Sequence, residues 1–429
     1  MLASLGEQVF CQNARLIELE SAQGPSLPAT LVVESFTGRE AVNELFCFEV
    51  DALSFSTDID LKQFIGEEMS LRLLQVDGSK RSWHGYCTEA SWLGADGGMA
   101  RYHFRIEPFL AFLRLRRDCF IFQDKDANQI VTDLLADYPQ ANFAWEAMQA
   151  VSSRPICTQY RESDLEFLQR LLMSEGLSWR FEHEQSSPAE NAESGGDHNS
   201  PPKARHKLVV FDGGTQLPAL PMGATLRYHG IRATDTDDAI NVFSALRQVQ
   251  ANAVSISSWH PQQLSAPAAE LSSSINNGTL PALAIYDGAG ESQYDDAEAA
   301  SQQNIAMLRA AEMGNKLFTG NGSVRRMAAG YGFTLSQHDN YAPGNDSFKV
   351  VSVEHNATNN LDAGMTQLLG GNVLERGTYR NSFTCLRDAV PIVPAGSATR
   401  TAPTALGAQI ALVVGLDGAP VTSERDHKI

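Results

Sequence analysis

CTQYRESDLEFLQRLLMSEGLSWRFEH, residues 157–183, holds the clearest local code in the chain. Ser163 is placed to cap a helix. Glu166, three residues on, completes a capping box in which each side chain satisfies the other residue's backbone N–H. Leu165, Leu168, Leu171 and Leu172 recur at helical spacing and form one apolar face. Gly176 ends the helix in the left-handed conformation that other residues avoid, and LSWRFEH then alternates like a strand.

Upstream, residues 15–118 read mostly as strands. LPATLVVESFTG and LFCFEVDALSF alternate, and SLRLLQVDGSKRSWHGYCTEASWLG reads as a hairpin through Asp77-Gly78. The next turn is 95–98, followed by MARYHFRIEPFLAFL; this rhythm predicts a small barrel or sandwich. Phe36, Phe46, Phe48, Trp83, Tyr86, Trp92, Phe104 and Phe109 are expected to fill its core. DANQIVTDLLADY places Ile130, Leu134 and Tyr138 on one helical stripe.

Downstream, residues 185–205 carry almost no large apolar side chain and predict a disordered insertion. Strands resume at HKLVVFDGG. A helix is expected over 294–314, with Asp295 or Asp296 near its positive end and Gly314 at its close. SVRRMAAGYGFTLSQ and SFKVVSVEHNAT read as two further strands. The blocks before 118 and those over 315–358 share a loose turn–strand–turn rhythm, as two related barrels would.

The chain has 429 residues, 33 Lys+Arg against 51 Asp+Glu, and a formal net charge of −18. That balance argues against nucleic acid and anionic lipid, which both need clustered cations. MLASLGEQVF lacks a basic n-region, so no secretory signal is expected, and no apolar run is long enough for a membrane helix. The six cysteines include no C-x-x-C pair and read as free thiols of a reducing compartment.

Sequence motifs for catalysis are absent: there is no G-x-S-x-G, no phosphate-binding glycine loop and no H-E-x-x-H. His183, His198 and His206 read as solvated loop histidines rather than metal ligands, and Asp237/Asp238 and Asp295/Asp296 as solvated or helix-capping pairs. Arg114, Arg116 and Arg117 form the densest basic cluster, read as a short solvated or interface patch. No catalytic residue, cofactor or metal is expected.

The 157–183 stretch resembles the signature of the VgrG family, the spike proteins of the bacterial type VI secretion system. Gln159, Tyr160, Arg161, Glu162, Ser163, Asp164, Phe167, Arg170, Leu171, Glu175 and Gly176 match its ordered run. FTGREAVNELFCFEVDALS is similar to the family's first-barrel entry. YHFRIEPFLAFLRLRRDCFIFQDKDANQIVTDLL resembles a following segment, at Pro108, Leu110, Leu113, Phe122, Gln123 and Ile130. YDGAG, GYGFTLSQHDN and VVSVEHNAT resemble its second half, although Ala329-Gly330 stands where the family often has Pro-Gly.

The resemblance implies a mainly β fold with helical insertions (α+β): two related β-barrels, as in phage baseplate hubs, plus the truncated start of an oligonucleotide/oligosaccharide-fold domain. The expected divisions are a first barrel (1–118), a connecting segment (119–184), the disordered insertion (185–205), a second barrel with a helical segment (206–390), a linker (391–405) and the start of the last domain (406–429), where the chain stops as a piece of a longer protein would. Implied partners are two further copies in a homotrimer, a hexameric tube protein (Hcp-type), effector or adaptor proteins and baseplate components, with no nucleic acid and no stable membrane insertion. The implied location is the bacterial cytoplasm before firing and the medium or target cell after it. A baseplate hub of a contractile phage tail or tailocin is the alternative within the same fold.

Overall fold

The computed structural model describes residues 15–21, 27, 31–96, 98–185, 203–229, 238–260, 264–275, 278–291, 294, 296–361, 378–394, 407 and 410. The fold is mainly β. Its first part lays down β1 (Ile17–Ser21), β2 (Val32–Ala41), β3 (Cys47–Ser54), β4 (Glu68–Leu74), β5 (Lys80–Asp96) and β6 (Met99–Glu107). They pair antiparallel in the order β1-β4-β5-β6-β3-β2. β1 and β2, the ends of this path, are joined through one side chain. Asn359, fully buried, donates to the carbonyls of Ile17 (2.9 Å) and Val33 (2.8 Å) and accepts from the Ile17 N–H (3.1 Å). A single amide thus satisfies backbone groups that a strand pairing would otherwise satisfy.

Seven elements follow: β7 (Arg117–Lys125), α1 (Ala127–Ala136), β8 (Phe143–Trp145), β9 (Arg154–Ser163), α2 (Asp164–Ser174), β10 (Ser178–His183) and β11 (His206–Phe211). β7 and β9 form a two-stranded ribbon, and β10, β11 and β8 a small sheet. Next come β12 (Thr225–Arg227), β13 (Ile240–Arg247), β14 (Ala253–Trp259), β15 (Ala268–Ser272), β16 (Ala284–Glu291), α3 (Ala297–Met313), β17 (Lys316–Gly322), β18 (Gly332–Ser336), β19 (Ser347–Thr358) and β20 (Thr378–Arg387). Six of these make a second ring, β12-β18-β19-β20-β17-β13. A parallel bridge between Tyr228, just past β12, and Ile240 of β13 returns the path to its start. β2 pairs antiparallel with β19, from Ala41↔Ser352 to Ser35↔Thr358, so both rings belong to one twelve-stranded sheet.

Each ring encloses aromatic residues. Phe36, Phe48, Trp83 and Phe104 fill the first, and Phe243, Phe318, Phe333, Phe348 and Phe383 the second. Burying one such ring contributes about 1.5–3 kcal/mol, so these clusters dominate the favourable side of folding. The rings also share a device. Gly38 of β2 lies opposite Phe48 of β3, and Gly320 of β17 lies opposite Phe383 of β20. A Cβ on either glycine would fall inside the facing phenyl ring. This cross-strand pair gives the loose sequence echo a physical counterpart.

Several expectations are corrected. Trp92 is 51% exposed, because the second half of β5 runs beyond the core with only β6 beside it. In 323–337 the strand begins only at Gly332. Within the segment read as a disordered insertion, Gln185 exchanges hydrogen bonds with the Ser82 backbone, and Ala204 and Arg205 are buried; 186–202 lie outside the described residues. Ile392 and Val393, in the expected linker, are also buried, and the expected last domain falls outside the described residues apart from Gly407 and Ile410. His198 is likewise outside them.

The Asn359→Ala substitution should leave one buried N–H and two buried carbonyls without partners. At about 1–3 kcal/mol for each unsatisfied group, a loss of roughly 3 kcal/mol or more is expected in urea denaturation; a midpoint unchanged from wild type would refute this closure.

Candidate functional site

The signature residues meet at the base of the ribbon. Ser163 caps α2, its Oγ accepting from the Glu166 N–H (3.2 Å), while the Glu166 carboxylate accepts from the Ser163 N–H (2.8 Å). Asp164, fully buried, accepts from Gln159 Nε2 (2.7 Å) and the Tyr138 hydroxyl (2.7 Å). Burial first, and then the Asp164 charge, push the Tyr138 phenol up. Arg170 grips Glu162 with two parallel hydrogen bonds (3.0 and 2.5 Å), a geometry only a guanidinium offers. Phe167 is fully buried and stacked on Phe122 at 5.5 Å, and Leu171 is equally buried. Glu175 accepts from Arg154 Nε (3.0 Å), and Gly176 has φ 69°, as the helix end demands. Tyr160 is half-buried beside Arg161, whose guanidinium lies 5.6 Å from its ring.

A second constellation lies where the two rings join. Glu40 of β2 accepts from Arg81 Nη2 (2.9 Å), reached from β5, and bonds His355 Nε2 (2.8 Å) on β19. Burial opposes its charge, but Arg81 and His355 prevail and hold the carboxyl down at about 2. His355 Nδ1 bonds the Tyr379 hydroxyl (2.7 Å), and Arg81 also donates to the carbonyls of Arg325 (2.8 Å) and Met327 in the other half. Arg180, 2% exposed, extends the seam: it pairs with Glu182 (2.7 Å) and lies 5.2 Å from the Tyr331 ring. Its stem passes over Gly330 (φ 79°), so the glycine of Ala329-Gly330 is required whatever precedes it.

His183 and His206 overturn the solvated reading. They face each other across β10 and β11; His206 is fully buried and the His183 side chain is only 6% exposed. His183 Nδ1 accepts from the His84 N–H (3.1 Å), and His206 Nε2 from the Phe109 N–H (2.9 Å). His84 bonds Ser70 Oγ (2.8 Å) and the Glu184 carbonyl (2.8 Å). Burial lowers all four histidines, His84 to about 3. The alternation of LSWRFEH and HKLVVF was the signal that both residues belong to strands. Two of the three clustered arginines are engaged: Arg114 pairs with Glu107 (2.8 Å) and Arg116 with Asp137.

These arrangements leave little reactive chemistry. His103 has carboxylates on both ring nitrogens, Asp51 at 2.7 Å and Glu49 at 2.8 Å; burial would lower it, but the hydrogen bonds and charges of the two acids raise it above its ordinary value, and neither nitrogen is left open. Burial pushes the Cys47 and Cys87 thiols up to about 12, away from the nucleophilic thiolate. A groove of about 640 Å³ over the β2–β19 junction is charge-balanced, with Arg39 paired to Glu354 (3.2 Å). Among the described residues no three His, Cys, Asp or Glu side chains could hold a metal ion.

The profile of the phage tail baseplate hub (GPD) family matches residues 39–361, well over half of the chain, which takes in the signature run and most strands of both rings. The chain belongs to this family. The hub chain is also similar to the type VI secretion system spike proteins VgrG1b and VgrG1c of Pseudomonas aeruginosa. It is 27% and 26% identical to them, over 98% of its own length in both cases and 52% and 54% of theirs. It therefore spans about half the length of these curated relatives. A match to the actin cross-linking toxin VgrG1 of Vibrio cholerae is 25% identical and takes in 76% of the hub chain but 29% of that protein. In fold it is similar to the Escherichia coli c3393 protein, a type VI secretion component (TM-score 0.58, 16% identity, 88% of this chain and 79% of that one). A tail protein of Neisseria meningitidis is comparable (TM-score 0.58, 12% identity, 88% and 97%).

The buried titratable groups of the hub chain set its response to acid. Glu40 and the four histidines all titrate lower folded than unfolded, so their stabilisation is complete above the ordinary values of 4.5 and 6.5 and is lost as pH falls through them. Each histidine can remove up to about 1.4 kcal/mol per pH unit below its unfolded value. The urea midpoint should therefore drop between pH 7.5 and pH 5.5, and less steeply in His355→Gln; equal midpoints at the two pH values would contradict the assignment.

Proposed function

We propose that this chain is the hub of a type VI secretion spike, acting by shape and assembly rather than by catalysis. The observation that carries the reading is the likeness to spike proteins along 98% of the chain, in a molecule whose two six-stranded rings share one sheet. Three copies around an axis present six rings, which matches a three-fold needle on one side to a six-fold tube on the other. Three copies with different contacting faces close such a ring head to tail.

In this reading the partners are two further copies, a hexameric tube protein, baseplate components, and effectors or their adaptors. The protein waits in the cytoplasm and leaves when the sheath contracts. None of the described helices is long and apolar enough to cross a membrane. The engaged state of His103 and the raised cysteines support a non-catalytic role. A tail-particle hub is the second reading, favoured by the tail protein matched over 97% of its length.

Deleting the gene in its own bacterium should abolish release of the tube protein into the medium, and the intact gene in trans should restore it. Unchanged tube release together with loss of sedimentable tail particles would transfer the chain to the second reading.

A further inference from the structure

Gln159, Glu162, Ser163 and Asp164 of the QYRESD run hold hydrogen bonds inside the chain; Arg161 is held by no ion pair among the described residues. It is the extra residue of a β-bulge, set between the pairs Asp118↔Glu162 and Cys119↔Tyr160, and it has φ 53°. A left-handed non-glycine residue at a bulge is strained and re-aims its side chain, and such strain concentrates at functional positions. The Arg161 guanidinium is exposed, touches the Tyr160 ring and has no carboxylate partner among the described residues; neither does Arg117 at the end of β7. Both cations sit at one end of the ribbon, and beyond them its outer face carries Ile121 (55% exposed) and Ile156 (48% exposed). A two-stranded ribbon is marginal alone and has two unpaired edges.

The chain carries one surface of complementary chemistry. The β14–β16 sheet is covered on one face by α3, through Val254, Ile256, Met307 and Leu308. Alternation puts Trp259, Tyr286 and Glu270 on the other face, where Tyr286 is 71% and Trp259 49% exposed. Glu270 is exposed and has no ion pair among the described residues. Across 253–314 there are seven acids and a single basic residue, Arg309. Tyrosine, tryptophan and arginine are the residues that anchor interfaces. The exposure of both faces shows that they do not cover each other within one chain.

We infer that the outer face of the β7–β9 ribbon of one copy docks on the open face of the β14–β16 sheet of the next, with Ile121 and Ile156 against Trp259 and Tyr286, and Arg161 against Glu270. The charge complementarity selects a second copy as the occupant: among the described residues Arg161 and Arg117 lack a carboxylate partner on one face, Glu270 lacks a cation on the other, and in a chain of net charge −18 such a pairing offsets the repulsion between copies. The two faces differ, which makes the contact head to tail. This assignment rests on the spike-hub reading.

The test places a photo-crosslinking amino acid at Ile121 of the full-length protein in the producing bacterium. Ultraviolet light should give a chain-to-chain adduct whose crosslinked peptide falls within 253–291. Arg161→Glu and Glu270→Arg should each lower its yield by about tenfold, and the two together should restore it, as reciprocal charge reversal requires. Unchanged thermal melting of the purified variants shows that they fold. No adduct, an adduct mapping elsewhere, or failure of the double variant to recover overturns the docking. Tube release read in the same strains separates the two claims: release without this adduct sinks the docking and leaves the hub, whereas release that never depended on the gene sinks the hub.

Discussion

Glu40 is buried beside the phenylalanines of the first core, and a carboxylate in that position stays charged only if its partners are already in place. Those partners come from different parts of the chain: Arg81 from β5, His355 from β19 and, at 3.7 Å, His183 from β10. An isolated buried charge costs several kcal/mol, so the two rings cannot slide or part without stranding it. Arg81 adds direction, because its remaining donors reach carbonyls of the second half and its guanidinium lies 4.2 Å from the Trp83 ring in the first core. The pair need not add net stability over an apolar replacement of equal volume. Its effect is to make one relative placement of the rings far better than any other.

Burial is the first cause that disfavours a proton on the buried histidines, and nearby cations add to it, Arg205 at His84 and Arg81 at His183 and His355. Each ring therefore sits in a tautomer fixed by a neutral neighbour: a backbone N–H for His183 and His206, a serine and a carbonyl for His84. A site built in this way positions elements; it does not exchange protons with solvent.

The legible parts of the sequence were those written locally. Ser163 and Glu166 lie three apart, so the start of α2 could be placed to the residue, and the alternating runs gave most strands of the first ring. What escaped was set by partners distant in the chain. Asn359 looks like any polar strand end, yet it joins Ile17 to Val33, more than 300 residues away. His183 and His206 flank a polar stretch, and their burial follows from their pairing with each other. Trp92 has the same strand-like surroundings as Trp83, but β5 outruns the core before reaching it. Arg161 could be matched to a family run, but the bulge that turns it outward belongs to the register of β7 against β9.

The fold joins its two rings through continuous hydrogen bonding. β2 pairs with β3 on one side and β19 on the other, and β19 pairs in turn with β20. Load entering either ring crosses to the other through main-chain bonds that lie in one sheet, not through a flexible tether. The Gly38–Phe48 and Gly320–Phe383 pairs stiffen that sheet further, because in each a phenyl ring occupies the space of the missing side chain and locks neighbouring strands in register. Such a design leaves adaptability to the appended elements. The ribbon and the β14–β16 unit stand outside the rings and pair with no strand of the twelve-stranded sheet.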